Sequence, residues 1–260
     1  MSVKLGAGTF GAVYMAWDLN HRILVAVKRP RPPFEFDRHL AKSFVQEALN
    51  AHGLATEPNV VKVLDVDPSE PYIVFAYCNE GSLAKRMKRS YTIADVIEWC
   101  SQIARPLTTA HGLKPNYIVH HDLKPENILF SDGMLMISDF GGAMFIRDSE
   151  SFKPLKGYGF TPLYSAPESF DLDTSDARPL DVWSFGVILW ELLCGEVPFK
   201  PSRNLIRDIR EAPLPNPIPT RTELGKTVPL GLVDLAYQCL TKNPKQRPTA
   251  QDCSTKLAAL

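Results

Sequence analysis

Residues 118–129 read IVHHDLKPENIL, a run that sets two histidines, two acids, a lysine and an asparagine between apolar residues. So much polar chemistry between apolar flanks needs a reason. Asp122 sits where it can accept a proton from a substrate hydroxyl. Lys124, two residues on, can meet a phosphate, and Asn127 can offer a neutral oxygen to a divalent cation. A second run, LMISDFGGA at 135–143, puts Asp139 after a strand-like stretch and before Phe140-Gly141. Glycine there lets the chain turn away, so the acid can ligate Mg2+ without strain. Upstream, GAGTFGAV fits G-x-G-x-x-G-x-V through Gly6, Gly8 and Gly11. Dinucleotide folds place such glycines between a strand and a helix, whereas here a strand pattern follows. The loop can fold over a nucleotide's phosphates with its N–H groups near the oxygens, or it can be a plain hairpin turn. VAVK ends at Lys28, fifteen residues after Val13 on the next strand pattern. A lysine under a glycine loop can neutralise α- and β-phosphates and needs a carboxylate to hold it; Glu47 is the best candidate. Taken singly, each reads as a solvated lysine or a surface glutamate.

Glycine loop, VAVK, HxDLKPEN, DFG and APE occur in the order of the eukaryotic-type protein kinase domain, which the chain resembles from Leu5 to its final helix. The resemblance implies an α+β, bilobal protein kinase fold. A small antiparallel-sheet N-lobe with one helix would span residues 1–75, a hinge 76–79, and a larger, mainly helical C-lobe 80–260. It implies an ATP-dependent enzyme that transfers the γ-phosphate to protein hydroxyls, with ATP and Mg2+ as cofactors. Lys28 would contact the α- and β-phosphates and pair with Glu47. Asp122 would be the catalytic base, with Lys124 at the γ-phosphate and Asn127 and Asp139 as metal ligands. Leu5, Val13, Ala26 and Leu129 would sandwich the adenine beneath the glycine loop of Gly6, Gly8 and Gly11. Phe75 looks like the gatekeeper, and Ala76 to Cys78 like the hinge backbone that meets the adenine edge. Glu168 of APE would pair with Arg247, Asp181 would hydrogen-bond the catalytic-loop backbone, and His120 would pack beneath Phe140. Lys124 and Thr161 favour serine/threonine acceptors over tyrosine, and residues 181–199 look closer to the tyrosine-kinase-like branch.

Three departures stand out. His121 occupies the position where the family usually has an arginine that pairs with a phosphate on the activation segment. Histidine is a poor permanent cation near neutral pH, so phosphorylation at Ser149, Ser151 or Tyr158 is expected to be less decisive here. The first strand is short, and Gly142 after DFG loosens the start of the activation segment. The rival readings are a nucleotide-binding scaffold without phosphotransfer, which Lys28, Asp122 and Asp139 together disfavour, and a small-molecule kinase of related fold.

The elements that must position these residues can be read from periodicity. AVYMAWD and ILVAVKR flank LNHR as a hairpin, and NVVKVLDV and YIVFAY read as further strands. Residues 39–54 have helical spacing. After about residue 80 helices dominate; Pro106 is expected to kink or break one of them, and Thr249 with Asp252 suggests a capping box on the last. The 260 residues suffice for a substantial core, and 29 basic against 29 acidic side chains argue for neither a nucleic-acid nor a membrane partner. The apolar run 182–194 is too short for a bilayer and carries Glu191. Five scattered cysteines without a CxxC pair suggest reduced thiols, and with no apolar leader visible a cytoplasmic location is expected. The expected partners are ATP and a protein substrate, with the oligomeric state left open.

Overall fold

The computed structural model describes residues 3–7, 11–30, 53–67, 72–139, 144–147, 162–170, 176–215, 218 and 227–260. Gly8, Glu47, Phe140, Thr161 and the three expected phosphorylation sites lie outside these residues, as does nearly all of the helix expected over 39–54.

Five strands form one antiparallel sheet in the order β1-β2-β3-β5-β4: β1 (Val3–Ala7), β2 (Gly11–Asp18), β3 (Ile23–Pro30), β4 (Val63–Asp67) and β5 (Tyr72–Ala76). The β2–β3 hairpin forms where LNHR predicts it. Asp18 accepts from the N–H groups of Asn20 and His21 at 2.8 and 3.0 Å, and Arg22 takes the left-handed φ of 55° that closes the turn. The resulting register sets Val13 opposite Lys28 and Met15 opposite Ala26. Side chains two apart share a sheet face, so Ala26 and Lys28 point the same way, above one cleft. β4 starts later than expected, at Val63. The preceding segment pairs elsewhere, with Val61 N–H donating to Ile137 O at 2.9 Å and Ile137 N–H to Asn59 O at 2.8 Å.

Beyond the sheet come α1 (Leu83–Arg86) and α2 (Ile93–Gly112), then β6 (Asn116–Val119), β7 (Ile128–Ser131), β8 (Met134–Ile137) and β9 (Met144–Arg147). They are followed by α3 (Arg178–Cys194), α4 (Leu205–Glu211), α5 (Leu230–Cys239) and α6 (Ala250–Leu257). β7 pairs with β8 and β6 with β9. α2 opens on a Thr92–Asp95 capping box and buries Val96, Cys100, Ile103 and Leu107, the three- and four-residue spacing of one helical face. It runs unbroken through Pro106, so of the kink or break that a proline there can cause no break occurs; a proline removes one hydrogen-bond donor, and this ring is itself buried in the core. α6 has the expected Thr249–Asp252 box. α3 is buried on almost every side, as a central helix should be, and ends on Gly195 at φ 75°. All five cysteines are free; Cys239 and Cys253 meet at 3.7 Å, with burial pushing the Cys239 thiol far up. Among the described residues no helix is long and apolar enough to cross a membrane.

α3 and α5 approach closely at Gly186, where an added Cβ would lie 2.6 Å from Cys239 Cβ and 3.2 Å from Leu240 Cδ2. Gly186→Ala is expected to destabilise the protein by about 1–3 kcal/mol through overpacking. A urea-unfolding midpoint equal to the parent's would show that the helices can move apart freely.

Candidate active site

The loop of residues 120–127 is held from below by Asp181, on the first turn of α3. Its fully buried carboxylate accepts from the His120 and His121 N–H groups at 2.8 and 2.9 Å, as the sequence implied. His111, from the end of α2, adds a third contact through Nε2 at 2.9 Å. Burial pushes the Asp181 pKa up, but the His111 hydrogen bond and charge, with help from His120, bring it below its ordinary value. An ionised carboxylate only accepts, so His111 Nε2 carries the proton in this pair. Sequence reasoning missed His111; its one signal was a histidine on an otherwise apolar helix face.

Held this way, His121 takes a left-handed φ of 67° and Asp139 one of 64°. Neither residue is glycine, and such strain gathers at functional sites. His120 Nε2 lies 3.0 Å from Ser138 O, joining the loop to the residue before Asp139. Ser138 N–H and Oγ both bond Asn127 O, at 2.8 and 2.9 Å. Asn127 sits in a 3₁₀ turn, Pro125–Asn127, and its Nδ2 donates to Asp122 O at 2.8 Å and Oδ2 at 3.3 Å.

Two ion pairs stand out. Lys28 Nζ lies 2.6 Å from Asp139 Oδ1, while Glu47, its expected partner, lies outside the described residues; a lysine side chain 11% exposed needs an anion, and Asp139 is one. Lys124 Nζ lies 2.5 Å from Asp122 Oδ2, so a lysine two residues on is the basic partner of this acid. Burial raises the Asp139 pKa, yet the Lys28 ammonium, then His120 and Lys124, lower it to about 2. Its side chain is nevertheless 42% exposed. An ionised carboxylate and the Asn127 amide oxygen, whose Nδ2 is already engaged, are hard oxygen donors fit for Mg2+.

Above this charged floor lies an apolar patch. Val61, Ile73 and Phe75 are buried, with Ala26, Cys78, Leu129 and Met136 packed around them. Leu129 is drawn in by an antiparallel bridge to Ser82, flanked by Phe130 N–H donating to Gly81 O at 2.8 Å. Ala76 N–H donates to Lys62 O at 2.9 Å. Burial, then the Asp132 carboxylate, pushes the Cys78 thiol up to about 11, so it stays neutral. Gly6 lies within β1 opposite Val13, Gly11 begins β2, and Leu5 is exposed at the rim. The structure thus brings Ala26, Phe75, Cys78 and Leu129 together.

The far side is locked by Arg247, which grips Glu168 through two contacts of 2.5 and 2.8 Å and stands 4.9 Å above the Trp183 ring. Lys242 lies 4.2 Å from the Phe199 ring centre and donates to Ile209 O; burial, then Arg247, lowers it to about 8. Tyr164 donates to Glu191 at 2.7 Å, a pair sequence reasoning did not find.

Burial holds the His121 imidazole below its ordinary value of 6.5, with His120 adding to the effect and the Asp181 and Asp122 carboxylates opposing it. A depressed folded value means the unfolded chain binds the extra proton first, so this stability is complete above about pH 6.5 and is lost as pH falls below it. His121→Asn, whose side chain tolerates left-handed backbone, should lose less stability than the parent between about pH 7 and pH 5.5 in urea titrations. Equal losses would refute the assignment.

Comparison with known proteins agrees with this geometry. The family model described as "Protein kinase domain" matches residues 1–257. A probable serine/threonine-protein kinase of Clostridium acetobutylicum is 32% identical over 94% of this chain and 37% of its own length. The serine/threonine-protein kinase PknB of Mycobacterium leprae is 33% identical over 94% of this chain and 39% of its own. Mitogen-activated protein kinase kinase kinase 7 of Homo sapiens is 29% identical over 95% and 39%. The chain therefore spans well under half the length of these curated relatives. With a match running from its first residue almost to its last, over a cleft whose acids and lysines are already paired, the chain belongs to the protein kinase domain family.

Proposed function

We propose that the chain is a serine/threonine protein kinase that moves the γ-phosphate of ATP to a protein hydroxyl. The reading rests chiefly on the linked series Lys28–Asp139, Ser138–Asn127 and Asn127–Asp122–Lys124, which gathers two acids, two lysines and an amide in one cleft. The apolar group of Ala26, Phe75, Cys78 and Leu129 suits an adenine, with the hinge backbone of Ala76 to Cys78 at its edge. Leu5 and Val13 would close it from above, and Gly6, Gly8 and Gly11 would bring N–H groups to the phosphates. Asn127 and Asp139 would hold Mg2+, which when bound neutralises charge on the phosphate oxygens.

Lys28 would turn from Asp139 toward the α- and β-phosphates, with Glu47, outside the described residues, as its second anion. Asp122 takes the proton from the substrate hydroxyl as that oxygen bonds to the γ-phosphorus. The bond to the bridging oxygen breaks and ADP leaves. Lys124 spans Asp122 and the transferring group, offsetting charge on both. Positioning and charge neutralisation do the work, with no covalent enzyme intermediate. Serine and threonine acceptors follow from Lys124 and from the names of the relatives.

Phosphate transfer to a generic basic protein in Mg2+ and ATP is the direct test. Asp122→Asn should lower kcat by about 100- to 10,000-fold, and Asp139→Asn should abolish Mg2+-dependent transfer. A parent protein that binds ATP and transfers nothing would instead be a scaffold.

Regulation follows from His121. The activation segment lies outside the described residues, but an imidazole held below its ordinary value is neutral at physiological pH and a weak partner for phosphate. Replacing Ser149, Ser151 and Tyr158 together should leave most activity in place. Collapse of activity, restored by phosphorylating the native segment, would sink this reading.

A further inference from the structure

The segment from Ser82 to Arg89 is a short, rigid, strongly cationic projection. Leu83 is fully buried and Met87 packs on the main core, while Lys85, Arg86, Lys88 and Arg89 are all exposed. Backbone bonds hold the shape: Arg86 N–H to Ser82 O at 3.0 Å, Met87 N–H to Leu83 O at 2.8 Å and Arg89 N–H to Arg86 O at 3.0 Å. Four cations thus stand within five residues of a chain whose formal charge is zero. A cation or two at a helix C-terminus is ordinary dipole compensation, but Lys88 and Arg89 lie beyond the end of α1. The neighbouring acids are engaged elsewhere: Glu80 accepts from Gly133 N–H at 2.8 Å, and Asp95 caps α2 through Thr92. Glu126 is exposed on the adjacent turn, one acid against four cations.

Position gives this patch its meaning. α1 packs directly on the Pro125–Asn127 turn, which follows Asp122 and Lys124. A helix is about 10 Å thick and an extended peptide covers roughly 3.4 Å per residue. Side chains about three to six residues from an acceptor at Asp122 therefore reach the patch. Single-stranded nucleic acid would want an aromatic platform, yet the nearby Tyr91 packs on Trp99 at 5.5 Å and spends its hydroxyl on Leu192 O at 2.9 Å. A membrane surface would want apolar anchors among the cations, and Leu83 and Met87 both face inward.

We propose that Lys85, Arg86, Lys88 and Arg89 form a docking face for an acidic segment of the protein substrate, rich in aspartate and glutamate and lying a few residues from the acceptor. This rests on the kinase reading above and adds the class of sequence the substrate should carry. The opposite charges would raise local substrate concentration and fix its register, an effect that salt weakens.

The test compares two serine peptides, one with a run of glutamates at that distance from the acceptor and one with glutamines there. In a variant with all four cations changed to glutamine, KM for the acidic peptide should rise about tenfold, with kcat and the neutral peptide unaffected. The Arg86→Gln, Arg89→Gln pair should give an intermediate shift, which separates docking from misfolding, and high salt should erase the parent's preference. Equal KM for parent and variant, or equal changes with both peptides, would overturn the proposal. Should the parent phosphorylate neither peptide, the kinase reading fails on its own, and fluorescence anisotropy of the labelled acidic peptide decides the patch. Tighter binding to the parent than to the variant supports it, and equal binding overturns it. Tighter patch-dependent binding of a single-stranded RNA, or of vesicles containing phosphatidylserine, also overturns it.

Discussion

A carboxylate shut away from water has to be met by donors, and the architecture around the cleft follows from how Asp181 is met. Two of its partners are backbone N–H groups of the 120–127 loop, and the third is an imidazole from the end of α2. Removing the carboxylate would strand those N–H groups in the interior, at a cost of about 1–3 kcal/mol for each unsatisfied group. The same contacts help hold the left-handed backbone of His121, whose N–H donates to Asp181 in that conformation. One side chain on the buried central helix thereby sets the direction in which Asp122 leaves the loop.

The cleft above is a set of opposed charges already in contact. Lys28 stands against Asp139 and Lys124 against Asp122, and the Asp139 carboxyl stays ionised because the lysines outweigh its burial. Such an arrangement can receive a polyanion and a divalent cation by exchanging partners, without having to create charge in a dry place. Apolar residues from both parts of the chain pack together beside it, so a charged and an apolar surface adjoin.

Much of this was legible in the sequence because it is local. The β2–β3 hairpin, the Thr249–Asp252 capping box and the order of the glycine, lysine and aspartate motifs depend on neighbours a few residues apart. The Glu168–Arg247 and Asp181 contacts came from the family resemblance rather than from periodicity. What could not be read was partner choice across distance. Lys28 meets Asp139 from 111 positions away, and His111 meets Asp181 from 70. An apolar stripe reports which face of α2 is buried and says nothing of what its one histidine touches. Pro106 reads as a breaker in isolation, whereas tertiary packing keeps the helix whole. Strand β4 was drawn too long because 59–61 are as apolar as a strand yet pair with β8.

That last pairing has a mechanical side. Asn59 and Val61 exchange backbone bonds with Ile137, and the Asn59 amide reaches Leu135 O at 2.8 Å. Gln102 of α2 accepts from Leu135 N–H at 2.7 Å. The segment leading into the five-stranded sheet is thus riveted to β8, two residues before Asp139, and to α2 behind it. Any rocking of the sheet over the cleft would have this rivet as its fulcrum. Lys28, out along β3, lies farther from it than Asp139 does in sequence and register. The gap between those two side chains would then gauge how far such a motion had gone.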